Sequence, residues 1–543
     1  MFEAPASGAA GEPQYPPPPP AAGTDQGTPV PPVSTAAATI AVDPEIFPFP
    51  EQPAPVYLPD NGGKLSGLEK GSNHAGEIPA GPVQTLREAL ILAYRTNPQL
   101  LAARAQARSA DFGVPQARSA YGPTLSARGA YTFTRTRVER LAGPWGGAKG
   151  WASDASLVLT QPVWTFGRNA ASEAGAVATS EYQRASLRVT EAQILRNVVA
   201  AYVSVLRDAA SVRIAQQNLA LLKQQLDVVE TRFKVRDLTL TDLDQTRTRL
   251  QVGQAQLLLA QGKLGISQMQ FLQYVGAPPG ELEVPEVLNI QFRSLEDAYA
   301  FAEMHSPLVR AAQAREKISR ASVAAARAEL GPRVDLRGTF NYGSISPYSD
   351  QLRTTQATGQ VVLTQSLFDS GLRDARINGA RETNEADWRL LDSVYRDTRE
   401  AIGGAWDDLA SSRASLVNYQ SAITAAQSAY DGALIQQQTG DRSVLDVLDL
   451  ARDLLTVRNN YNYALASEYS ARANLLQAAG MLEADKVLPD LRAYDADRHY
   501  DKVRHRGDIP LLTPILSGLD GITTGNLSAN RPTRDAGAQK ALD

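Results

Sequence analysis

Two rhythms of apolar and polar positions alternate along this chain. Within the stretch Arg168 to Phe233, apolar Tyr202, Val205, Ala209, Val212, Leu219, Leu222, Leu226, Val229 and Phe233 recur at steps that are mostly three and four. That spacing is close to the heptad of helices that pack along a seam. No proline interrupts residues 163–277, and at 1.5 Å per residue a helix from Arg168 to Phe233 would be about 100 Å long. A twin runs from Leu372 to Gln437 inside a second proline-free stretch, 348–488. Returning helices are predicted over 242–275 and 446–479, with seams at Leu243, Leu250, Leu257, Leu258 and Leu264, and at Val447, Leu450, Leu454, Leu455, Tyr461 and Leu465. The second rhythm has a period of two. Leu125, Ala127, Gly129, Tyr131 and Phe133 alternate with Thr124, Ser126, Arg128, Thr132 and Thr134. Val334, Leu336, Gly338, Phe340 and Tyr342 do so with Arg333, Asp335, Arg337, Thr339 and Asn341. These are strands with one apolar and one polar face. Partner strands follow at Ala155, Leu157, Leu159 and at Gly359, Val361, Leu363, each closing a hairpin around a polar loop, 138–151 or 344–355. A helix is predicted before each hairpin, over 84–120 and 294–329, each stopped by a Gly-Pro.

The chain is written twice. Thr85-Leu-Arg-Glu-Ala-Leu reappears as Ser294-Leu-Glu-Asp-Ala-Tyr, and Gly122-Pro123 as Gly331-Pro332, 209 residues on. After the hairpin loops the offset is 204: Leu159-Thr-Gln-Pro matches Leu363-Thr-Gln-Ser, and Gly167 matches Gly371. The organisation expected is therefore a proline-rich linker over 1–82, a first repeat over 83–277, an inter-repeat linker over 278–293, a second repeat over 294–484 and a C-terminal segment over 485–543. Within the last, Ile509 to Leu516, broken by Pro510 and Pro514, is expected to pack against the protein.

Composition narrows the classes. A 543-residue chain with 43% hydrophobic and 21% charged residues and a formal net charge of −4 does not suggest a nucleic-acid binder. The absence of cysteine excludes a disulfide scaffold, a zinc–cysteine site and an anchor through an N-terminal cysteine. No run of about 20 apolar residues could span a bilayer as a helix. The N-terminal residues lack a signal peptide's charged-then-apolar layout, so an export signal is expected upstream or already removed. His74, His305, His499 and His505 are scattered, and there is neither a His-Glu-x-x-His nor a phosphate-cradling loop with lysine. No catalytic role, metal or cofactor is expected.

The alternating strands suit a half-buried soluble sheet, and they equally suit a transmembrane β-barrel with an apolar exterior, a polar lumen and aromatic girdles. In the second case Tyr131, Phe133, Leu157, Leu159, Phe340, Tyr342, Val361 and Leu363 face lipid. Four strands cannot close, and open edges are not tolerated in lipid. Two chains would give eight strands and a filled barrel; three would give twelve and a lumen. The rival from another class is a periplasmic coiled-coil scaffold or adaptor with a soluble β domain.

The duplicated strand-and-long-helix plan, the Gly-Pro before each first strand, and Gly440-Asp441-Arg442-Ser443-Val444-Leu445-Asp446-Val447-Leu448-Asp449 together resemble the TolC family of outer-membrane efflux and secretion channels over about residues 84–485. The resemblance implies a mixed fold, a membrane β-barrel continuous with an α-helical barrel. It implies a homotrimer closing twelve strands in outer-membrane lipid of a Gram-negative cell, with the helices in the periplasm. The implied role is the passive exit duct of a type I secretion or multidrug efflux system. Its partners would be a periplasmic adaptor and an inner-membrane ABC or proton-driven pump, and its cargo proteins or small molecules.

Asp446 and Asp449 lie three apart near the start of the returning helix, where acids complement its positive end. By resemblance they line the periplasmic tip, where a trimer would turn them into carboxylate rings favouring cations. Arg442, in the same turn after Gly440, resembles a gate latch reaching toward Thr241 and Asp242 on the neighbouring coil. Gln437 stands where some members carry tyrosine, and Arg236 where glycine is common.

Overall fold

The structure, a computed structural model, describes residues 81–524 apart from 139–143, 145, 291, 489, 490 and 492. The proline-rich segment up to residue 80, and 525–543 of the C-terminal segment, lie outside the described residues. In chain order the first repeat gives α1 (Leu86–Thr96), α2 (Pro98–Asp111), α3 (Gly113–Arg118), β1 (Thr124–Val138), β2 (Gly146–Trp164), α4 (Arg168–Lys234) and α5 (Leu240–Val275). The second gives α6 (Leu295–His305), α7 (Pro307–Ala328), β3 (Arg333–Ser346), β4 (Ser349–Thr364), α8 (Leu372–Thr439) and α9 (Val444–Ala478). Short helices α10 (Ala484–Val487) and α11 (Ala496–Val503) and the longer α12 (Leu512–Thr524) follow.

Two expectations are corrected. The opening helices are not continuous over 84–120 and 294–329: α1 gives way to α2 at Asn97, and α6 to α7 at Ser306. Pro98 and Pro307 each push the preceding residue into an extended conformation, with ψ of 121° at Asn97 and 124° at Ser306. The Asn97 side chain then accepts from the Gln99 and Leu100 amides and starts the next helix. Strand also extends into the loops expected over 138–151 and 344–355, because β2 begins at Gly146 and β4 at Ser349. A backbone ladder is indifferent to side-chain polarity, so polar residues such as Ser344 and Arg353 pair as well as apolar ones.

The strands form one antiparallel sheet in the order β1-β2-β3-β4. Its register unites the apolar positions: Leu125 faces Leu159, Ala127 faces Leu157, Leu157 faces Phe340, and Leu336 faces Val361. This face is uncovered, with Leu125 69% and Val361 70% exposed. Trp151, assigned to a loop by sequence, joins it and stacks on Tyr131 with ring centroids 4.9 Å apart, beside Phe133 at 5.0 Å.

Helix α4, 67 residues long, is the spine, packing against α5, α7 and α9, while α8 pairs with α9. The main core gathers Leu90, Leu195, Val198, Tyr202, Phe271 and Leu482, drawing on both repeats and the C-terminal segment. Tyr202 is fully buried, and its hydroxyl lies 2.8 and 2.7 Å from the carbonyl oxygens of Gln84 and Glu283, fastening the 278–293 segment to the helices. Burial in that cluster pushes the Tyr202 phenol up to about 12. Tyr469 holds the same segment through the Pro285 carbonyl at 2.9 Å. Among the described residues no helix is long and apolar enough to cross a membrane.

Where strand passes into helix the backbone turns through two left-handed residues in each repeat. These are Phe166 and Gly167 at φ 58° and 85°, and Ser370 and Gly371 at 55° and 85°. In the second repeat the local Asp369 accepts from the Gly371 and Arg373 amides. The first repeat has Thr165 at that position, and the acid comes from α12 instead. The buried Asp520 carboxylate accepts from the Thr165, Gly167 and Ala170 amides at 2.8, 2.9 and 3.2 Å and from the Thr165 hydroxyl at 2.8 Å. It thus supplies the cap that Gly167 has no side chain to provide.

Candidate functional site at the helical turns

The far ends of the long helices reverse in two turns related by the 204-residue offset. In the first, the Arg236 amide donates to the Phe233 carbonyl at 2.9 Å and the Asp237 amide to Arg232 at 3.0 Å. In the second, Gly440 donates to Gln437 at 3.3 Å and Asp441 to Gln436 at 2.9 Å. Both closures have the bonding pattern of a helix ended by a left-handed residue. Gly440 takes φ 86° freely, but Arg236 must hold φ 62° with a full side chain.

Each return helix then starts from a hydroxyl cap. Thr239 accepts from the Asp242 amide at 3.2 Å, and Asp242 answers by accepting from the Thr239 amide at 3.0 Å and its hydroxyl at 2.7 Å. This is a capping box with an acid at its fourth position. The bonds from Thr239 hold the Asp242 carboxyl below the usual carboxylate range. Ser443 accepts from the Asp446 amide at 3.2 Å, but the Asp446 carboxylate makes no bond in return and meets no partner among the described residues.

The two acids of α9 therefore differ. Asp449 is engaged by Arg249 of α5 at 2.8 Å, whereas Asp446 is exposed and uncompensated. Both members of the Arg249–Asp449 pair are more than a third exposed, so screening limits it to less than about 1 kcal/mol. Arg442 is exposed with no partner among the described residues, Thr241 is exposed in the first turn of α5, and Asp242 is occupied by Thr239. Arg442 and Asp242 do not meet within one chain.

Apolar packing holds the two turns together. Val444 and Leu448, 4% and 3% exposed, enter a cluster with Leu222, Val229, Leu243 and Leu250, so the start of α9 is seated on the α4–α5 pair. Beneath it Tyr430, Ala433, Val447, Ala451 and Leu454 join α8 to α9. Gln437 is buried there with its Nε2 unpartnered. Sequence reasoning missed Arg249 and the Val444–Leu448 contact. The signal was present as an arginine in the third turn of α5 and an acid in the second turn of α9, but pairing them requires knowing which helix faces meet. Among the described residues no group of three or more His, Cys, Asp or Glu side chains could hold a metal.

An exposed apolar sheet face, two unpaired sheet edges and helices of 67 and 68 residues leaving the strands directly define a subunit of a membrane β-barrel continued by a helical tube. The chain belongs to the outer membrane efflux protein family, whose model matches residues 90–277 and 299–481. It is 28% identical over 425 residues to the outer membrane efflux protein BepC of Brucella suis biovar 1 (strain 1330), covering 78% of this chain and 91% of that protein. To the outer membrane protein TolC of Escherichia coli (strain K12) it is 22% identical, over 78% of this chain and 88% of the other. The structure superposes on the outer membrane protein VceC of Vibrio cholerae with a TM-score of 0.63 at 19% identity, covering 73% of this chain and 96% of that one. The protein is an outer-membrane exit duct whose helices lie in the periplasm.

Proposed function

We propose that three copies pool their strands into one twelve-stranded barrel, and that the duct is passive and gated at its periplasmic turns. The observation that carries this is the uncovered apolar sheet face on strands that run straight into the long helices. Such a sheet cannot keep open edges in lipid, and twelve strands leave a lumen. In this reading residues 83–277 and 294–484 are the two copies of one structural unit, and the 278–293 segment, together with Leu488, Tyr494 and Ala496 at the start of the C-terminal segment, belts them at the equator. A periplasmic adaptor docks on the helices, and an inner-membrane ABC or proton-driven pump supplies the energy. Cargo, whether protein or small molecule, passes without chemistry on this chain.

At the tip, Asp446 from three subunits forms a ring favouring cations, with Asp449 behind it partly neutralised by Arg249. Arg442 of one chain reaches the Thr241–Asp242 turn of the next, latching the closed state, while Gly440 gives the turn its reach. The experiment is single-channel conductance of the Arg442→Ser, Asp242→Ala double variant in planar bilayers. Because Asp242 also caps α5, Thr239→Ala serves as the control that removes the cap and leaves the acid. A rise in conductance in the double variant beyond that of the control supports the latch; equal conductance in both rejects it.

A further inference from the structure

α12 is inside out for a helix in water. Its Thr513 and Asp520, 2% and 1% exposed, point into the protein beside Leu516 at 7%. Its outer surface carries Ile515, Leu519 and Ile522, exposed by 65%, 43% and 74%, with Leu511 just before it at 79%. These positions step by four, four and three, so they form one continuous apolar stripe. Asp520, the one charged residue of the helix, is used entirely in capping α4. The sheet likewise leaves an apolar face uncovered, with Leu125 69% and Val361 70% exposed.

The cap also fixes where the stripe lies. β2 ends at Trp164, and Asp520 bonds to the next residue, Thr165. The helix is therefore held at the level where β2, and with it the sheet, gives out. Before it, Lys502, Arg504 and Arg506 are exposed at the end of α11 and in the following turn, Arg504 lying 3.4 Å from Asp501, so that basic side chains precede an apolar helix. Between these residues and α12, Arg118 of α3 grips Asp508 at 2.9 and 2.7 Å, and before them His499 meets Asp111 of α2 at 2.7 Å, so the segment is strapped along α2 and α3 as it climbs.

We infer that α12 is an interfacial helix seated in the periplasmic leaflet of the outer membrane, its Leu511–Ile515–Leu519–Ile522 stripe among acyl chains and its preceding basic residues at the phosphates. The strap anchors the barrel's periplasmic mouth to the bilayer, and Asp520 couples that anchor to the first strand–helix junction. The inference rests on the barrel reading above.

The chain has no cysteine, which makes the test direct. Ile515→Cys and Ile522→Cys are each labelled with a nitroxide in protein reconstituted into phospholipid vesicles. Collision with oxygen, which partitions into lipid, is compared with collision with a water-soluble nickel chelate, and Leu157→Cys on the sheet face serves as reference. Both α12 labels are expected to favour oxygen severalfold, as Leu157 does. Labels that favour the chelate would put the stripe in water, and labels shielded from both reagents would put it against a neighbouring subunit; either result overturns the inference while Leu157 upholds the barrel. A Leu157 label that favours the chelate removes the barrel reading and this one with it.

Discussion

At position 236 an arginine holds a left-handed backbone that its counterpart 204 residues on leaves to Gly440. A non-glycine residue there costs on the order of 1 kcal/mol. Arg236→Gly is therefore expected to raise the thermal stability of the assembled protein, and Gly440→Ala to lower it by about 1 kcal/mol, both read from the unfolding midpoint. The acids at the turns separate by their partners. Asp446→Asn is expected to reduce the cation-over-anion permeability ratio more than Asp449→Asn, because Arg249 already offsets Asp449; reversal potentials in a salt gradient decide it. Asp242 carries a pH dependence. Its folded carboxyl is held below the ordinary aspartate value of 3.8, so its contribution is present above that value and is lost as pH falls through the lower folded one. Amide exchange at 240–244, corrected for intrinsic rate, is expected to accelerate as pH drops below about 4, and Thr239→Ala is expected to abolish the step. Gly440 and the acids Asp242 and Asp446 were legible in sequence because each acts within one turn of its own helix, whereas their hydroxyl partners Thr239 and Ser443 emerged with the helix starts. Arg249 was not legible, since its partner lies 200 residues away on another helix.

Elements were legible where one periodicity ran long and unopposed, as in α4 and α8. They were misread where a local rule overrode the pattern. Pro98 and Pro307 split helices whose apolar spacing continues across the break, and the hairpin ends are polar yet laddered. The junctions show a further limit. Asp369 sits in sequence where its helix needs it, but the equivalent acid for α4 arrives from residue 520, beyond the reach of any local motif. Asp520→Ala leaves three backbone amides of a buried helix start without their acceptor. It is expected to cost roughly 2–4 kcal/mol and to release the C-terminal strap to limited proteolysis, while Asp369→Ala leaves the strap protected. Gly331 tests the same region by shape. A Cβ there would come within 2.0 Å of the Phe166 ring, so Gly331→Ala displaces that ring and loosens the turn. At the opposite end Leu448→Ala opens a gap where α9 sits on α4 and α5, at a cost of about 2–4 kcal/mol. It is expected to shift the channel toward larger conductance states without altering the barrel.

For the whole molecule, the sequence alone sufficed for the duplication, the four strands and the long helical pairs, and so for the family. The apolar sheet face, which in sequence suited a soluble sheet and a barrel equally, is uncovered in the structure, and the polarity of α12 became visible only once its faces were placed against their neighbours. Both state the same requirement, that this chain completes its burial with lipid and with copies of itself. The mass of the detergent-solubilised protein by light scattering, corrected for bound detergent, tests that most directly. Three chains of 58.4 kDa each are expected in one particle that stays dispersed only in detergent. A single 58.4 kDa chain that remains monodisperse without detergent would contradict it, and the apolar face would then belong to a soluble scaffold.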